Sequence, residues 1–496
     1  MTESTILSSR VLPHFYRDSV ALMAIASATE KRDGIVRVGA VMATPSNLGI
    51  LAESDMLPDG LTAAPDDLVF VVRGSDTATV TDALDAAESA LTAVDQGSSS
   101  DELRPGTVRE GMAVATQAER PANLVTISIA GTYAPIVAEQ ALRDGMHVLC
   151  FSDNVDIAEE LRLKQLAVEK RLLMMGPDCG TAIIDGVPLG FANAVAQGSV
   201  GIVAASGTGA QEVARLLDTA GVGVSQLIGV GGRDLSADIG GLMANLALDF
   251  LVEDAETTVI TVVSKPPAAE VAAALLARLA TIAAGGIPVV ACFLGQEDSE
   301  SDGVIVRGTL EGGALAAAEL AGHPFTVTEL DPLVAPPGRI LGLYTGGTLA
   351  SESKIILKRA GIEAEIIDLG DDEFTAGKPH PMIDPESRAE RIAAAGADET
   401  VGTILLDLVL GYGANADPAS PVASAVAQAQ EAARAQGRDV VVVGSVCGTT
   451  SDPQGLARQR DILTEAGVIL AETNASAARL VAAAQTEHRT QKGGVE

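Results

Sequence analysis

Two stretches of the chain share one layout: an apolar run, a turn rich in glycine and threonine, and the opening of a helical pattern. They are residues 200–213 (VGIVAASGTGAQEV) and 339–352 (RILGLYTGGTLASE). A strand that ends in glycines and leads into a helix directs several backbone N–H groups, and the positive end of the helix dipole, at one place. One such loop is common to any α/β unit. A matching loop in each half of the chain predicts two anion-binding helices that face a shared site.

Short apolar strands alternate with helical patterns along most of the chain. Examples are LVTISIA at 124–130, VVACFLG at 289–295 and ILLDLVLG at 404–411. Strands that are apolar on both faces are typical of parallel sheets covered by helices on both sides. The sequence therefore predicts a multidomain α/β protein, with functional groups in the loops at the carboxyl ends of the strands.

Two polar stretches divide the chain. Residues 95–110 are rich in Ser, Asp and Gly, and residues 329–338 are rich in proline and acidic residues, which is typical of linkers. Together with the start of the first glycine loop, they predict domains at 1–105, 106–197, 198–330 and 338–486. A chain of 496 residues is long enough for this number of domains.

Charge and composition exclude several classes of function. The net charge of −33 argues against a nucleic-acid partner, because the phosphate backbone would be repelled. The sequence has no apolar run of about 18 residues and no signal-peptide pattern, so we expect no membrane contact and a cytoplasmic location. The four cysteines form no CxxC pair, so neither disulfides nor a metal site is expected. An anion-binding enzyme this acidic needs local positive potential from helix N-termini and a few basic residues.

The order of several motifs resembles succinyl-CoA synthetase. GPDC (176–179), ASGTGAQE (205–212) and GVGGRD (229–234) are similar to the α subunit, and TGGTLASESKIIL (345–357), IIDLGDD (366–372) and ILLDLVLGYG (404–413) to the C-terminal domain of the β subunit. The resemblance implies an N-terminal α/β domain, then a CoA-binding-like Rossmann-type domain at 106–197. Two flavodoxin-like domains, at 198–330 and 338–486, would follow. In those enzymes two helices approach one phosphohistidine from either side.

A longer series of motifs resembles the FdrA family. The blocks are FYRDSVALM (15–23), MATPSN (42–47), FSDNV (151–155), MGPDCGTAII (175–184), IGVGGRDLS (228–236), VSKPP (263–267), LYTGGTLA (343–350) and GKPHPMIDP (377–385). This resemblance implies a subunit of oxamate carbamoyltransferase that works in a hetero-oligomer with two further, unrelated subunits. That enzyme splits oxalurate with phosphate into oxamate and carbamoyl phosphate, late in anaerobic allantoin degradation. The implied ligands are small-molecule anions, with phosphate or carbamoyl phosphate as substrate and no cofactor.

The sequence departs from the synthetases at their catalytic histidine. They carry it after the strand that corresponds to 289–295, but this chain has no histidine between His147 and His323. The glycine-rich nucleotide loop of a CoA-binding domain is missing as well. A phosphohistidine relay is therefore not available, and we expect the loops to hold a free phosphate or carbamoyl phosphate directly.

The two glycine loops supply the predicted phosphate-binding residues. These are Ser206, Gly207, Thr208 and Gly209 in the first loop, and Thr345, Gly346, Gly347 and Thr348 in the second. Their hydroxyl groups can donate to an oxyanion. The alternative is ordinary helix capping, worth about 1 kcal/mol each.

Two basic residues at strand ends are candidates for substrate contacts. Arg233 follows two glycines and could clamp the carboxylate of oxalurate with both arms of its guanidinium group. The alternative is a surface salt bridge with Asp234 or Asp238. Lys265 precedes two prolines, which restrict the direction of the chain, and is the second candidate.

The remaining candidates are polar residues in loops. His380 lies between two prolines and could donate a proton near neutral pH, although a lone loop histidine is usually structural. Cys179 would need a nearby base to act as a nucleophile. Asn154, Asp178 and Asp407 could bind ligand or cap helices.

Three hypotheses follow. The first is a carbamoyltransferase subunit whose paired helices hold phosphate. The second is a non-catalytic scaffold or regulatory subunit that binds an anion while a partner performs the chemistry. The third is an acyl-CoA ligase that uses another phosphate carrier.

Overall fold

The computed structural model describes residues 5–15, 17, 19–58, 60–93, 105–375 and 379–493. It divides into two compact units, one of residues 1–111 with 376–379, and one of residues 112–375 with 380–496. Most of the predicted linker at 95–110 lies outside the described residues. The second predicted linker falls in the described stretch 321–338, which contains no helix or strand.

The first unit contains a three-stranded sheet with helices. Its elements are β1 (Ile6–Leu12), α1 (Ser19–Glu30), β2 (Ile35–Met42), α2 (Pro45–Glu53), β3 (Leu68–Gly74) and α3 (Thr77–Ala93). The strand order is β1-β3-β2, and both outer strands run antiparallel to β3. Only β3 is buried along most of its length, whereas β1 and β2 are partly exposed. The expectation of parallel sheets is wrong here, because antiparallel sheets tolerate such half-exposed strands.

The second unit begins with a small parallel sheet. Helix α4 (Val108–Thr116) spans the boundary between the units. It is followed by β4 (Leu124–Ile127), α5 (Ala134–Arg143), β5 (His147–Cys150), α6 (Ile157–Lys170) and β6 (Met174–Met175). The strands are ordered β4-β5-β6.

An eight-stranded sheet follows. Its strands are β7 (Thr181–Ile184), β8 (Val187–Gly190), β9 (Gln197–Ala205), β10 (Val224–Gly229), β11 (Val259–Ser264), β12 (Val289–Phe293), β13 (Ser299–Ser301) and β14 (Val304–Arg307). Its helices are α7 (Gly207–Thr219), α8 (Leu242–Glu253), α9 (Ala269–Ala284) and α10 (Leu310–Leu320). The strand order is β13-β14-β12-β11-β9-β10-β7-β8. β7, β8 and β13 pair antiparallel at the two edges. The hairpin β7–β8 thus belongs to this sheet, although it precedes the predicted boundary at 197/198.

The last sheet has five parallel strands. They are β15 (Arg339–Tyr344), β16 (Glu365–Asp368), β17 (Val401–Val409), β18 (Val441–Cys447) and β19 (Val468–Ala471). The helices are α11 (Gly347–Arg359), α12 (Asp372–Thr375), α13 (Glu386–Ala397), α14 (Ala419–Ala435), α15 (Leu456–Glu465) and α16 (Asn474–Gly493).

Both large sheets have the flavodoxin-like order, in which the first strand lies between the second and the third. This order is β10-β9-β11-β12-β14 in one sheet and β16-β15-β17-β18-β19 in the other. Ligands of such sheets bind at the carboxyl ends of the first and third strands, where the strand order reverses. Each glycine loop directly follows the first strand of its sheet, so both loops lie at these switch points.

Candidate functional site

The structure brings the two glycine loops together. Ser206 caps α7 by accepting a hydrogen bond from the Gly209 N–H at 3.1 Å. Its Oγ also lies 2.6 Å from Oγ1 of Thr348, in a buried hydrogen bond between the loops. A Cβ atom built on Gly346 would lie 3.0 Å from Oγ1 of Thr208. The first turns of α7 and α11 therefore pack against each other.

The two helices also carry matching glutamates that the sequence analysis did not single out. α7 begins Gly-Thr-Gly-Ala-Gln-Glu and α11 begins Gly-Thr-Leu-Ala-Ser-Glu, so each carries a buried glutamate, Glu212 and Glu352. Glu352 Oε1 accepts from the N–H of Leu310 at 2.6 Å, at the start of α10. Glu212 Oε1 accepts from the N–H of Asn474 at 3.4 Å, at the start of α16. Each glutamate thus binds the N-terminus of a helix from the other sheet, which holds the two loops in place.

A carboxylate of the protein already occupies part of the second loop. Asp407, on β17, accepts hydrogen bonds from the N–H groups of Thr345 at 2.9 Å and Gly346 at 2.7 Å. The Thr345 hydroxyl donates to the same carboxylate at 3.1 Å. Arg388 donates to it at 2.9 Å, and both partners of this ion pair are buried. Two of the residues predicted to bind phosphate in the second loop, Thr345 and Gly346, therefore bind a carboxylate of the protein. The N–H groups of Gly347 and Thr348 are not used by Asp407.

Lys265 and Asp368 meet at the first residue of α11. Lys265 follows β11, at the switch point of the first large sheet, and Asp368 ends β16 of the second. A Cβ atom on Gly347 would collide with Oδ2 of Asp368 and lie 3.3 Å from Nζ of Lys265. Lys265 is exposed and takes part in no ion pair among the described residues. Burial raises the pKa of Asp368 to about 6.

His380 lies next to the second loop but does not have the expected protonation. Its ring packs against Phe191 with the ring centroids 5.9 Å apart, and a Cβ atom on Gly370 would collide with its Nε2. The N–H of Met382 donates to its Nδ1 at 3.2 Å. Burial lowers the pKa of His380 to about 4. The ring is therefore neutral at pH 7, and its Nε2–H can donate a hydrogen bond but not the proton of an imidazolium.

Arg233 is bound by groups of the protein. Its Nε donates to Oε2 of Glu160 at 2.9 Å, and its Nη2 donates to the carbonyl of Val155 at 2.7 Å. The partner is thus neither of the two aspartates that the sequence suggested. Asp234 instead accepts from Lys164 at 2.8 Å in a buried ion pair. These contacts support the structural alternative for Arg233.

The other three candidates belong to loops of the small sheet and the strand that follows it. Asn154 and Asp178 are exposed and have positive φ values of 51° and 54°, in turns after β5 and β6. The N–H of Asp178 donates to the Ser152 carbonyl at 3.0 Å. Cys179 is buried, and burial raises the pKa of its thiol to about 12. A thiol in this state is a poor nucleophile at neutral pH.

We expect the thiols of the native protein to be inert. All four cysteines, Cys150, Cys179, Cys292 and Cys447, are free and buried. An aromatic disulfide reagent should therefore release almost no thiolate from the folded chain at pH 8 and about four equivalents in denaturant. Rapid stoichiometric reaction of one thiol without denaturant would contradict this description of the cysteines.

Three models of protein families match the chain. Residues 343–484 match one described as CoA-ligase, residues 195–294 one described as CoA binding domain, and residues 4–105 one described as AllF, heavy metal-associated domain. The CoA-binding match lies over the predicted synthetase-α-like domain at 198–330, and not over 106–197. The domain bounds stay a prediction.

The residues of the first unit do not fit a heavy-metal site. Residues 4–105 contain no cysteine, and soft metals select thiolate ligands. In the described part of the chain, one group of potential ligands was found, His14 with Asp66 and Asp67. Its atoms are already used, since Nδ1 of His14 lies 2.6 Å from Oδ2 of Asp66 and both carboxylate oxygens of Asp67 accept backbone N–H groups.

Several solved structures and a curated synthetase subunit resemble parts of the chain. The acetyl-coenzyme A synthetase 1 of Ca. Korarchaeum cryptofilum, in complex with phosphate and ADP, is 14% identical, with a TM-score of 0.35 and coverage of 79% of this chain and 88% of that one. The ATP citrate lyase of Methanothrix soehngenii is 14% identical, with a TM-score of 0.36 over 58% of this chain and 56% of that one. The succinate–CoA ligase subunit alpha 1 of Archaeoglobus fulgidus is 27% identical over 30% of this chain and 51% of its own length.

A relative of full length establishes the family. The uncharacterized protein YahF of Escherichia coli (strain K12) is 40% identical over 94% of this chain and 96% of its own length. No helix in the described residues is both long and apolar enough to cross a membrane. The parallel sheets flanked by helices match the synthetase-like fold that the sequence predicts. The chain belongs to the FdrA/AllF-type family of succinyl-CoA synthetase-like proteins.

Proposed function

We propose that this protein is a subunit of an oxamate carbamoyltransferase, which converts oxalurate and phosphate to oxamate and carbamoyl phosphate in allantoin catabolism. The observation that supports it is the contact between the two glycine loops, with Ser206 bonded to Thr348 and Lys265 beside Gly347. The segment that carries the catalytic histidine in the synthetases has none here, so the phosphate is held as a free anion. The resemblance to the FdrA family supports the choice of substrates and of two further subunits as partners.

The arrangement suits phosphate chemistry that depends on position and charge. The N-termini of α7 and α11 supply the positive ends of two helix dipoles, and Lys265 adds a full charge near Gly347. Holding phosphate next to the ureido carbonyl makes its attack effectively intramolecular. Fixed dipoles stabilise the charge that develops on the carbonyl oxygen without reorganisation. In this proposal His380, with its neutral ring, donates a hydrogen bond and does not supply the proton.

Replacing Lys265 by methionine tests the phosphate site. A hydrogen bond to a charged group contributes about 1.5–3 kcal/mol, so Lys265→Met should weaken phosphate binding by about 10- to 150-fold. The measurement is the dissociation constant of inorganic phosphate, by calorimetry on the full chain, and the phosphate KM of the assembly.

Lys358→Met is the matched control. Lys358 is exposed near the other end of α11, so its variant removes the same charge from the same helix at the wrong terminus. Equal phosphate affinity for the two variants would show that Lys265 is not a phosphate ligand.

A scaffold function is the second candidate. Asp407 already binds the N–H groups of Thr345 and Gly346, which cancels part of the positive potential at α11. A subunit that only holds the anion, while a partner performs the chemistry, would tolerate this smaller positive potential at α11. Oxalurate cleavage by the partner subunits without this chain would favour the scaffold.

An acyl-CoA ligase is the third. The match of residues 343–484 to the CoA-ligase description supports this reading at the level of the fold. An acyl-CoA ligase must bind CoA and activate a carboxylic acid with ATP. Calorimetry that shows no binding of CoA to the chain would exclude this function.

A further inference from the structure

Side chains from both large sheets converge on Gly346 and Gly347. Thr208 comes from α7, Asp407 from β17 and Asp368 from the end of β16, while Lys265 comes from the end of β11. Each lies within contact distance of a Cβ atom built on one of the two glycines. Asp407 already accepts hydrogen bonds from Thr345 and Gly346. Thr208 lies where the two glycine loops pack against each other. Asp368 and Lys265 form no ion pair with each other. A carboxylate and an ammonium group are therefore both available to a ligand at the start of α11.

The contacts of Asp368 leave one of its oxygens for a ligand. Oδ1 accepts from the N–H of Gly370 at 3.0 Å, which orients the carboxylate. Oδ2 is directed at the backbone of Gly347, and no hydrogen bond to it is found among the described residues. The carboxylate therefore lies against the first residue of α11, on the same side of Gly347 as Nζ of Lys265, so a phosphate bound at this helix N-terminus would meet both groups.

We propose that Asp368 is the residue that transfers the proton in the carbamoyl transfer, by accepting it from the attacking phosphate and delivering it to the departing amide nitrogen. This inference rests on the proposed function. It assigns the acid–base role to a residue that the sequence did not single out.

The proposed step balances. An oxygen of HPO₄²⁻ attacks the ureido carbon of oxalurate and passes its proton to Asp368 as the new C–O bond forms. The C–N bond to the oxamate nitrogen then breaks, and the protonated Asp368 gives the proton to that nitrogen. The products are carbamoyl phosphate and oxamate, with total charge unchanged and the carboxylate restored.

The charges around Asp368 suit this exchange. Burial raises the pKa of its carboxyl group to about 6, with Asp407 and Asp371 adding to the rise, while Lys265 and the Gly370 N–H act in the opposite direction. His380, which lies beside the same loop, is neutral in this range. An acid–base group with a pKa near the working pH is the most efficient one. At pH 7 the carboxylate of the free protein is mostly ionised and can accept the proton.

The first test is phosphate binding with its proton balance. Calorimetry of the full chain with inorganic phosphate, at pH 7 in two buffers of different ionisation enthalpy, gives the protons taken up per phosphate. The dianion next to Asp368 should raise the pKa of this carboxyl group, so the wild type takes up a fraction of a proton that Asp368→Asn does not. The ionisation of free phosphate is the same for both proteins and cancels, so the difference reports the protons that Asp368 and the bound phosphate next to it take up together.

The second test is turnover by the assembly with its partner subunits. General acid–base groups contribute about 10²- to 10⁴-fold, so Asp368→Asn should lower kcat by that factor without raising the phosphate KM, because removal of the carboxylate charge favours binding of the dianion. In the wild type, kcat should fall as the pH drops, with a midpoint above the value of about 6 for the free protein, because the bound phosphate raises the pKa of Asp368 and the carboxyl group becomes protonated. Asp439→Asn is the control, since it removes the same charge from an exposed position just before β18, at the opposite, amino-terminal edge of the same sheet.

The outcomes separate the two proposals. If the wild-type assembly does not cleave oxalurate but Asp368→Asn still abolishes the phosphate-linked proton uptake, the proposed function fails and the contact of Asp368 with phosphate stands. Wild-type kcat in Asp368→Asn, or equal proton uptake in both proteins, overturns the role of Asp368. Absence of phosphate binding to the wild type overturns both.

Discussion

Replacing Arg388 by methionine is expected to destabilise the second unit by about 3–5 kcal/mol. Arg388 and Asp407 form a buried ion pair at 2.9 Å, and Arg388 also donates to the Asp407 carbonyl at 2.6 Å. Methionine keeps most of the apolar stem but leaves the carboxylate of Asp407 without its cation. Removal of one partner of a buried pair is costly because the other charge stays buried and unpaired. The measurement is the urea midpoint of the unfolding transition.

Arg458→Met is the matched control for this prediction. Arg458 pairs with Asp417 at the same distance, 2.9 Å, but the two side chains are 57% and 37% exposed. Exposed pairs contribute about 0.2–1 kcal/mol, so this variant should unfold nearly like the wild type. Similar losses for the two variants would mean that burial does not determine the importance of the pair. The Arg388 variant should also bind phosphate differently, because Asp407 holds the second glycine loop.

Replacing Glu352 by glutamine is expected to change how stability depends on pH. Burial raises the pKa of Glu352 to about 7, with Glu212 and Glu311 adding to the rise. The folded state therefore binds the proton more tightly than the unfolded state. The contribution of this group is fully favourable below its unfolded pKa, falls as the pH rises toward about 7, and is lost above it. The loss amounts to about 3 kcal/mol.

In Glu352→Gln this dependence should disappear. Glutamine keeps an acceptor for the Leu310 N–H, while its NH₂ group faces the Asn474 amide, which stays bound to the Leu349 carbonyl at 2.9 Å. Urea unfolding at pH 5.5 and pH 8.5 measures the effect, which is the difference in the slope of stability against pH. Glu431→Gln, at an exposed position on α14, should retain the wild-type slope. An unchanged slope in Glu352→Gln would show that Glu352 is ionised throughout this range.

Local features of the sequence were enough to predict the class of fold. The apolar runs that became β9, β15 and β17 are buried along almost their whole length, as continuous apolarity indicates. The glycine turns lead into α7 and α11, as the layout of the two stretches predicts. The antiparallel sheet of the first unit was not foreseen, because strand direction depends on partners far along the chain.

The candidate site residues show the same division between what local sequence indicates and what long-range contacts decide. Lys265 lies beside the second glycine loop, at a strand end that the sequence identified. His380 and Arg233 were chosen for their chemical type, and the structure gave one a neutral ring and the other a partner 73 positions away. Asp368 was overlooked because an aspartate at the end of a strand carries no local signal for burial or for its approach to α11.

The sequence by itself determined that two glycine loops follow apolar strands, because periodicity and turn chemistry are properties of neighbouring residues. Only the tertiary structure decided that these loops contact each other, through Ser206 and a threonine 142 positions further along. It also decided that Asp407, 62 positions from Thr345, fills part of the second loop, and that burial raises the pKa of Asp368. Long-range packing sets the solvation and the partners of a charged group, and both decide which anion a loop can hold.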